Sequence, residues 1–180
     1  APALPPLTEP ERLGDAYAVV GLDARLQAVA LFRGALDRVG AANATHLMRC
    51  AEGPDPYQLR LGDLGRIDLV HLGMGADGHT ASLFPHSEAL DADPGRLVAM
   101  NDDPTGVHPY RRMTLPPPRP VTLPFAGIAR ARLVVVTVSG ADKADALAAI
   151  AAGEDLPASR IEADRVVWLV DDAAASGLAR

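Results

Sequence analysis

The sequence has one cysteine, Cys50, too few for an intramolecular disulfide or a cysteine-based zinc cluster. That scarcity fits a reducing cytoplasm, and Cys50 itself reads as a small, partly buried hydrophobe rather than a nucleophile. Aromatic residues make up 4% of the chain, which leaves few platforms on which single-stranded nucleic acid could stack. Cations are outnumbered, and a formal net charge of -6 repels phosphate backbones at long range. A nucleic-acid partner is therefore not expected, although a local cationic pocket is still compatible with that balance.

No apolar run is long enough to span a bilayer, so no membrane partner is expected. The proline-rich lead, residues 1–13, has no basic stretch followed by an apolar one, unlike a secretory signal. The chain opens on Ala1 rather than methionine, which raises the expectation of an upstream part. The 180 residues themselves suit a single domain over 1–180, large enough to bury a core without disulfide or metal. The 48% hydrophobic content is mostly Ala, Val and Leu, as suits helices packed closely on a sheet.

Leu26, Val29, Ala30, Leu36 and Val39 fall at helical spacing, and Gly40 supplies a stop, so a helix is predicted over Asp23–Val39. Gly53-Pro54 and Asp55-Pro56 punctuate Ala51–Gly65 as a loop. Strands are predicted at Ile67–Leu72, Arg96–Asn101, Leu133–Val138 and Arg165–Val170, with helices at Lys143–Ala151 and Asp172–Leu178. This rhythm favours an α/β fold with a mostly parallel sheet and helices on both faces. Ligands in such folds bind beyond the carboxyl ends of strands, which singles out the loops 73–82, 104–124 and 139–143.

The first of these, Gly73-Met74-Gly75-Ala76-Asp77-Gly78-His79-Thr80, removes side-chain bulk just where a strand ends, so backbone amides could turn toward an anion. Thr80 and Ser82 are predicted to open a short helix, whose N-terminus would attract phosphate or a developing oxyanion. His79 at that junction is a base whose protonation can change near neutral pH. The spacing fails the dinucleotide fingerprint. Taken alone, three glycines and Asp77-Gly78 are equally compatible with an ordinary tight turn.

The longer run Asp68-Leu69-Val70-His71-Leu72-Gly73-Met74-Gly75-Ala76-Asp77-Gly78-His79-Thr80-Ala81-Ser82-Leu83-Phe84-Pro85 resembles the signature of the 6-phosphogluconolactonase family, within the wider glucosamine-6-phosphate isomerase group. The resemblance continues in Arg112-Met113-Thr114-Leu115, in Val134–Lys143, in Leu156-Pro157-Ala158-Ser159 and in Trp168-Leu169-Val170-Asp171, covering roughly 66–178. It implies a three-layer Rossmann-like fold and hydrolysis of 6-phospho-D-glucono-1,5-lactone to 6-phosphogluconate, a step of the pentose phosphate pathway, with neither metal nor organic cofactor. His79 would be the general base that activates water, with Asp77 beside it. Gly73, Gly75, Gly78, Thr80 and Ser82 would line the substrate, the backbone between Gly75 and Gly78 supplying oxyanion donors. Lys143 and an arginine of the 104–124 loop would hold the phosphate. Arg111, Arg112 and Arg119 concentrate charge there; spacing to Thr114 favours Arg112, spacing from Thr122 favours Arg119.

The family's N-terminal strand and glycine-rich phosphate loop find no counterpart before the first helix, so the chain reads as N-terminally shortened. The best register puts Gly14-Asp15-Ala16-Tyr17 on the family's Gly-Asp-Glu-Arg motif, with Tyr17 in place of the fixed cation. A missing strand would expose a sheet edge, and either a monomer or a homodimer is compatible with that. Two other functions remain open: aldose-ketose isomerisation with deamination of an amino-sugar phosphate, and a catalytically weak protein that binds a sugar phosphate. His71 reads as a hydrogen-bonded sheet residue, and His46, His86 and His108 as loop or surface residues. No His or carboxylate set has zinc-ligand spacing, and Ser82 and Ser139 lack a nucleophile elbow.

Overall fold

The computed structural model describes residues 52–102 and 121–178, together with the backbone of two short strands at 17–19 and 45–47. These two strands, β1 (Tyr17–Val19) and β2 (Thr45–Leu47), pair in parallel, with Tyr17 opposite Thr45 and Val19 opposite Leu47. They belong to a unit of their own, residues 1–47. The expected helix at Asp23–Val39 lies outside the described residues, as do Arg111, Arg112, Arg119 and His108.

The larger unit is built on three parallel strands in the order β3 (Ile67–Gly73), β6 (Ala131–Val138), β7 (Arg165–Val170). Branched side chains suit a pleated, packed surface, and here they alternate with period two. Val70, Leu72, Val134, Val136 and Val138 are buried, and the register sets Val70 beside Val134 and Leu72 beside Val136. On β7 the same row continues with Val166, Trp168 and Val170. Leu69 and Leu169, on the alternate positions, stay exposed. A slip of one residue would move the whole apolar row to the other face, so burial fixes the register.

The region 51–65, expected to be a loop, contains helix α1 (Asp55–Leu64). Pro54 and Pro56 are compatible with this helix because proline in the first turn costs no hydrogen bond, and Gly65 at φ +70 closes the far end. Tyr57 and Leu61, four residues apart, bury the same helix face. Gln58 fastens α1 to the chain entering β4 (Ala99–Met100). Its side-chain oxygen accepts from the amides of Leu97 (2.7 Å) and Val98 (3.0 Å), and its nitrogen donates to the Gly95 carbonyl (3.0 Å).

Between β3 and β6, β4 pairs antiparallel with β5 (Val121–Thr122), and the short helix α2 (Phe125–Ile128) leads into β6. The predicted helix at Lys143–Ala151 is present as α3 (Ala144–Ala151), preceded by a 3-10 turn over Ala141–Lys143. The final segment, expected as a helix from Asp172 to Leu178, is only a 3-10 turn over Ala174–Gly177. Gly177 there sits against Ala144 and Ala148 of α3, a contact that admits no side chain comfortably. No helix among the described residues is long and apolar enough to cross a membrane.

Candidate active site

Strands β3 and β6 are parallel and adjacent, with Gly73 opposite Thr137, so the loops that follow them leave from the same end of the sheet. The first loop is closed by its own backbone. The Gly75 amide donates to the His79 carbonyl (2.8 Å) and the Gly78 amide to the Gly75 carbonyl (3.1 Å). Both amides therefore close the turn. Gly75 is glycine because the imidazole of His79 lies against its Cα: a Cβ there would sit 2.1 Å from Nδ1 and 2.7 Å from an Asp77 carboxylate oxygen. Gly78, at φ +76, backs onto the Leu156 side chain, and its carbonyl accepts from the Ala158 amide (2.9 Å). The Leu156-Pro157-Ala158 segment is thus a buttress for the loop.

His79 is held from three sides. Asp77 Oδ1 accepts from ring Nδ1 at 2.5 Å and from the main-chain amide of His79 at 3.1 Å. The ring of Phe84, itself buried, packs on the imidazole with centroids 4.9 Å apart. Gly75 supplies the third wall. Burial works to raise the Asp77 carboxyl, but the hydrogen bonds from the His79 ring and amide outweigh it and hold the group below the usual carboxylate range. A carboxylate accepting at Nδ1 selects the tautomer whose basic lone pair is on Nε2, the arrangement a general base requires.

Thr80 and Ser82 do not open a helix; this expectation is corrected. Thr80 is fully buried and its hydroxyl donates to the Gly73 carbonyl (2.8 Å), so it closes the loop onto the end of β3. Residues 80–83 form a tight turn, with the Leu83 amide donating to the Thr80 carbonyl (2.6 Å), and Ala81 and Ser82 adopt left-handed φ values of 48° and 56°. Two non-glycine residues in that conformation cannot begin a helix.

The second loop, Ser139–Lys143, is tied to the end of β7. Asp171 accepts from the Ser139 hydroxyl (2.5 Å), from the Gly140 amide (3.0 Å) and from the Ala174 amide (2.8 Å). The Ser139 hydroxyl, then the Ala174 and Gly140 amides, hold the Asp171 carboxyl below its ordinary range. Lys143, the chain's one lysine, ends the 3-10 turn, and its ammonium donates to Asp142, lowering that carboxyl as well. His71 has the role predicted for it, its Nε2 hydrogen-bonding Thr137 Oγ1 at 2.8 Å within the sheet. His86 lies in a turn at φ 63, and His46 is a residue of β2. Among the described residues no group of three or more His, Cys, Asp or Glu side chains is placed to hold a metal ion.

Asp77 and His79 thus meet as one unit, and Lys143 follows the adjacent strand. Comparison with known proteins bears on what this arrangement serves. The family model for glucosamine-6-phosphate isomerases/6-phosphogluconolactonase matches residues 26–168. The chain belongs to that family. The 6-phosphogluconolactonase of Mycobacterium tuberculosis is 37% identical over 151 residues, which is 82% of this chain and 54% of that protein. The 6-phosphogluconolactonase of Synechocystis is 38% identical over 127 residues, 68% of this chain and 48% of that protein. The chain spans about half the length of these curated relatives. The crystal structure of 6-phosphogluconolactonase from Thermotoga maritima superposes with a TM-score of 0.56 at 27% identity, over 71% of this chain and 56% of that one. A monomeric glucosamine-6-phosphate deaminase shares the fold alone, at 21% identity and a TM-score of 0.57, over 75% of this chain and 60% of that one. The expected family and α/β fold class are both supported by these likenesses.

Sequence reasoning missed the residues that hold the loop: Asn101, Thr122, Asp171 and the ring of Phe84. Phe84 and Asp171 sit inside stretches that carry the family resemblance, which was the available signal. Asn101 and Thr122 offered none beyond their place beside short strands.

Proposed function

We propose that this chain carries the hydrolytic site of a 6-phosphogluconolactonase and acts on 6-phospho-D-glucono-1,5-lactone. The observation that carries the reading is the Asp77–His79 pair, locked at 2.5 Å at the carboxyl end of β3 in a chain of this family. His79 Nε2 takes a proton from water as the oxygen attacks the lactone carbonyl carbon. The tetrahedral intermediate then collapses with cleavage of the ring C–O bond, and the imidazolium returns the proton to the departing ring oxygen. Positioned general-base catalysis of this sort contributes roughly 10²–10⁴-fold.

Lys143 is the phosphate anchor on the sheet side, and Arg112 or Arg119 is the second cation, both from the stretch 104–124 of the sequence. The Asp142 carboxylate now beside Lys143 must yield that ammonium to the phosphate dianion, a stronger partner. Gly73 and Ser82 frame the loop from its two ends rather than touching substrate through side-chain bulk. The same reading makes the protein a metabolic enzyme of the cytoplasm working as a monomer or homodimer, without metal or organic cofactor.

Hydrolysis of freshly generated lactone, followed by proton release above the spontaneous rate, tests the reading. Wild-type protein should exceed that background and His79→Ala should not. Equal rates for the two proteins would remove the assignment. If wild type is inactive while 6-phosphogluconate still raises the melting temperature, the protein is a sugar-phosphate binder instead.

A further inference from the structure

The described residues bury four polar side chains: Thr80 closes onto the Gly73 carbonyl, while Ser87, Asn101 and Thr122 hydrogen-bond the segment that follows His79 or one another. Asn101 is fully buried at the end of β4. Its amide nitrogen donates to the Ser82 carbonyl (2.7 Å) and to Ser87 Oγ (2.9 Å), and its oxygen accepts from the Ala89 amide (3.3 Å). Thr122, fully buried in β5, donates its hydroxyl to the Ala81 carbonyl. The two anchored carbonyls are those of the two left-handed residues. Strained backbone persists only where its surroundings hold it, and here the hold comes from two uncharged side chains of a two-stranded ladder, Thr122 on β5 and Asn101 directly after β4.

The turn has a consequence for His79. By reversing the chain across Thr80–Leu83, it returns Phe84 to the imidazole five residues back, so the ring that packs on His79 is placed by the left-handed pair. Asn101 and Thr122 also stand at the two ends of the segment 103–120, which carries Arg111, Arg112 and Arg119. The stem of the arginine segment is thereby fastened to the histidine loop.

We propose that Asn101 and Thr122 are positioning residues that clamp the Ala81–Ser82 turn and thereby set the His79 imidazole for catalysis, an inference that rests on the hydrolytic reading above. Neither touches the reacting atoms. Their loss should misplace the base, and a misplacement of about 1 Å costs up to roughly a hundredfold in rate. Thr122→Val removes the donor while keeping the shape; Thr122→Ser keeps the donor; Asn101→Asp keeps the acceptor for Ala89 and loses both donors.

In lactone hydrolysis, Thr122→Val and Asn101→Asp should lower kcat by about tenfold or more with KM changed by less than about twofold, and Thr122→Ser should recover most of the rate. A second readout does not depend on turnover: the His79 imidazole resonances, assigned by their loss in His79→Ala, should shift in Thr122→Val and return in Thr122→Ser. Folded Thr122→Val and Asn101→Asp proteins with wild-type kcat, or with unshifted His79 resonances, would overturn the clamp while leaving the lactonase reading intact. Wild-type protein no faster than His79→Ala would remove the lactonase reading, and the resonances would then decide the clamp by themselves. Should Thr122→Val fail to fold, Asn101→Asp decides by the same two measurements.

Discussion

Asp77 Oδ1 bonds His79 twice, to the ring Nδ1 at 2.5 Å and to the main-chain amide at 3.1 Å, so one carboxylate oxygen fixes both the rotation of the imidazole and the turn that presents it. Asp77→Asn tests what the charge adds to that geometry. An asparagine can keep the amide bond through its oxygen, or present its nitrogen to the ring and invert the tautomer, but it cannot stabilise an imidazolium. The expected result is a kcat lower by on the order of 10²-fold, with KM close to wild type, in steady-state lactone hydrolysis. A variant with unchanged kcat would show that the carboxylate only shapes the loop.

Gly75→Ala is expected to be as damaging as loss of the histidine itself. The new methyl would fall 2.1 Å from Nδ1, inside the ring's own volume, so the imidazole must leave its seat between Gly75 and Phe84. Activity should fall to near the His79→Ala level while the protein still folds, because the clash is with a side chain at the loop surface and not with the sheet. Circular dichroism and a melting curve beside the activity assay separate the two effects.

What was legible in the sequence is what depends on local pattern. Period-two branched residues gave β3, β6 and β7 within a few positions, and the loop leaving β3 was placed at the correct end of the sheet. Prolines at 54 and 56 read locally as loop breakers, whereas a helix's first turn lacks the bonds that proline would break, and α1 forms there. The turn at Ala81–Ser82 was expected to be helical because nothing local marks a left-handed pair without glycine; it exists through Thr122 and Asn101, 41 and 19 residues away from the carbonyls they hold. The glycines at 75 and 78 are legible as places that exclude side-chain bulk, but the neighbours that exclude it, the His79 imidazole and the Leu156 side chain, come from the folded loop and from 78 residues downstream.

Ala81→Gly should stabilise the fold. An L-residue in the left-handed region costs about 1–2 kcal/mol that glycine does not, while glycine gives back roughly 0.5–1 kcal/mol in unfolded-chain entropy. The net is a gain of up to about 1.5 kcal/mol, visible as a higher urea midpoint with an unchanged slope. A loss of stability would mean that residue 81 is not left-handed in solution.

Asp171 makes stability depend on acid in one direction. Its folded carboxyl titrates below the unfolded value because Ser139, Ala174 and Gly140 donate to the ionised form. Such a group contributes stability that is present above the unfolded value, about 3.9, and is lost as pH falls through the folded one. The melting temperature of the wild type should therefore drop between pH 5 and pH 3, and Asp171→Asn should show a smaller drop with a lower melting temperature at pH 5. Parallel curves for the two proteins would deny Asp171 that role. The Ser139–Lys143 loop should loosen in the same variant, since its tie to β7 runs through this carboxylate.

Lys143 is the chain's single lysine among 17 cationic residues, and it stands at the carboxyl end of β6 beside the histidine loop's strand. A charge-assisted bond to phosphate is worth about 1.5–3 kcal/mol, and 1.4 kcal/mol is a factor of ten in affinity. Lys143→Gln should accordingly raise KM for the 6-phosphorylated lactone by roughly 10- to 100-fold, leaving kcat within a few fold. The contrast lies in a second substrate: the unphosphorylated δ-lactone, which has no dianion to anchor, should be hydrolysed by wild type and Lys143→Gln at equal, low efficiency. If both substrates lose equally, Lys143 serves the loop and not the phosphate, and the anchor must be sought in Arg112 or Arg119 alone.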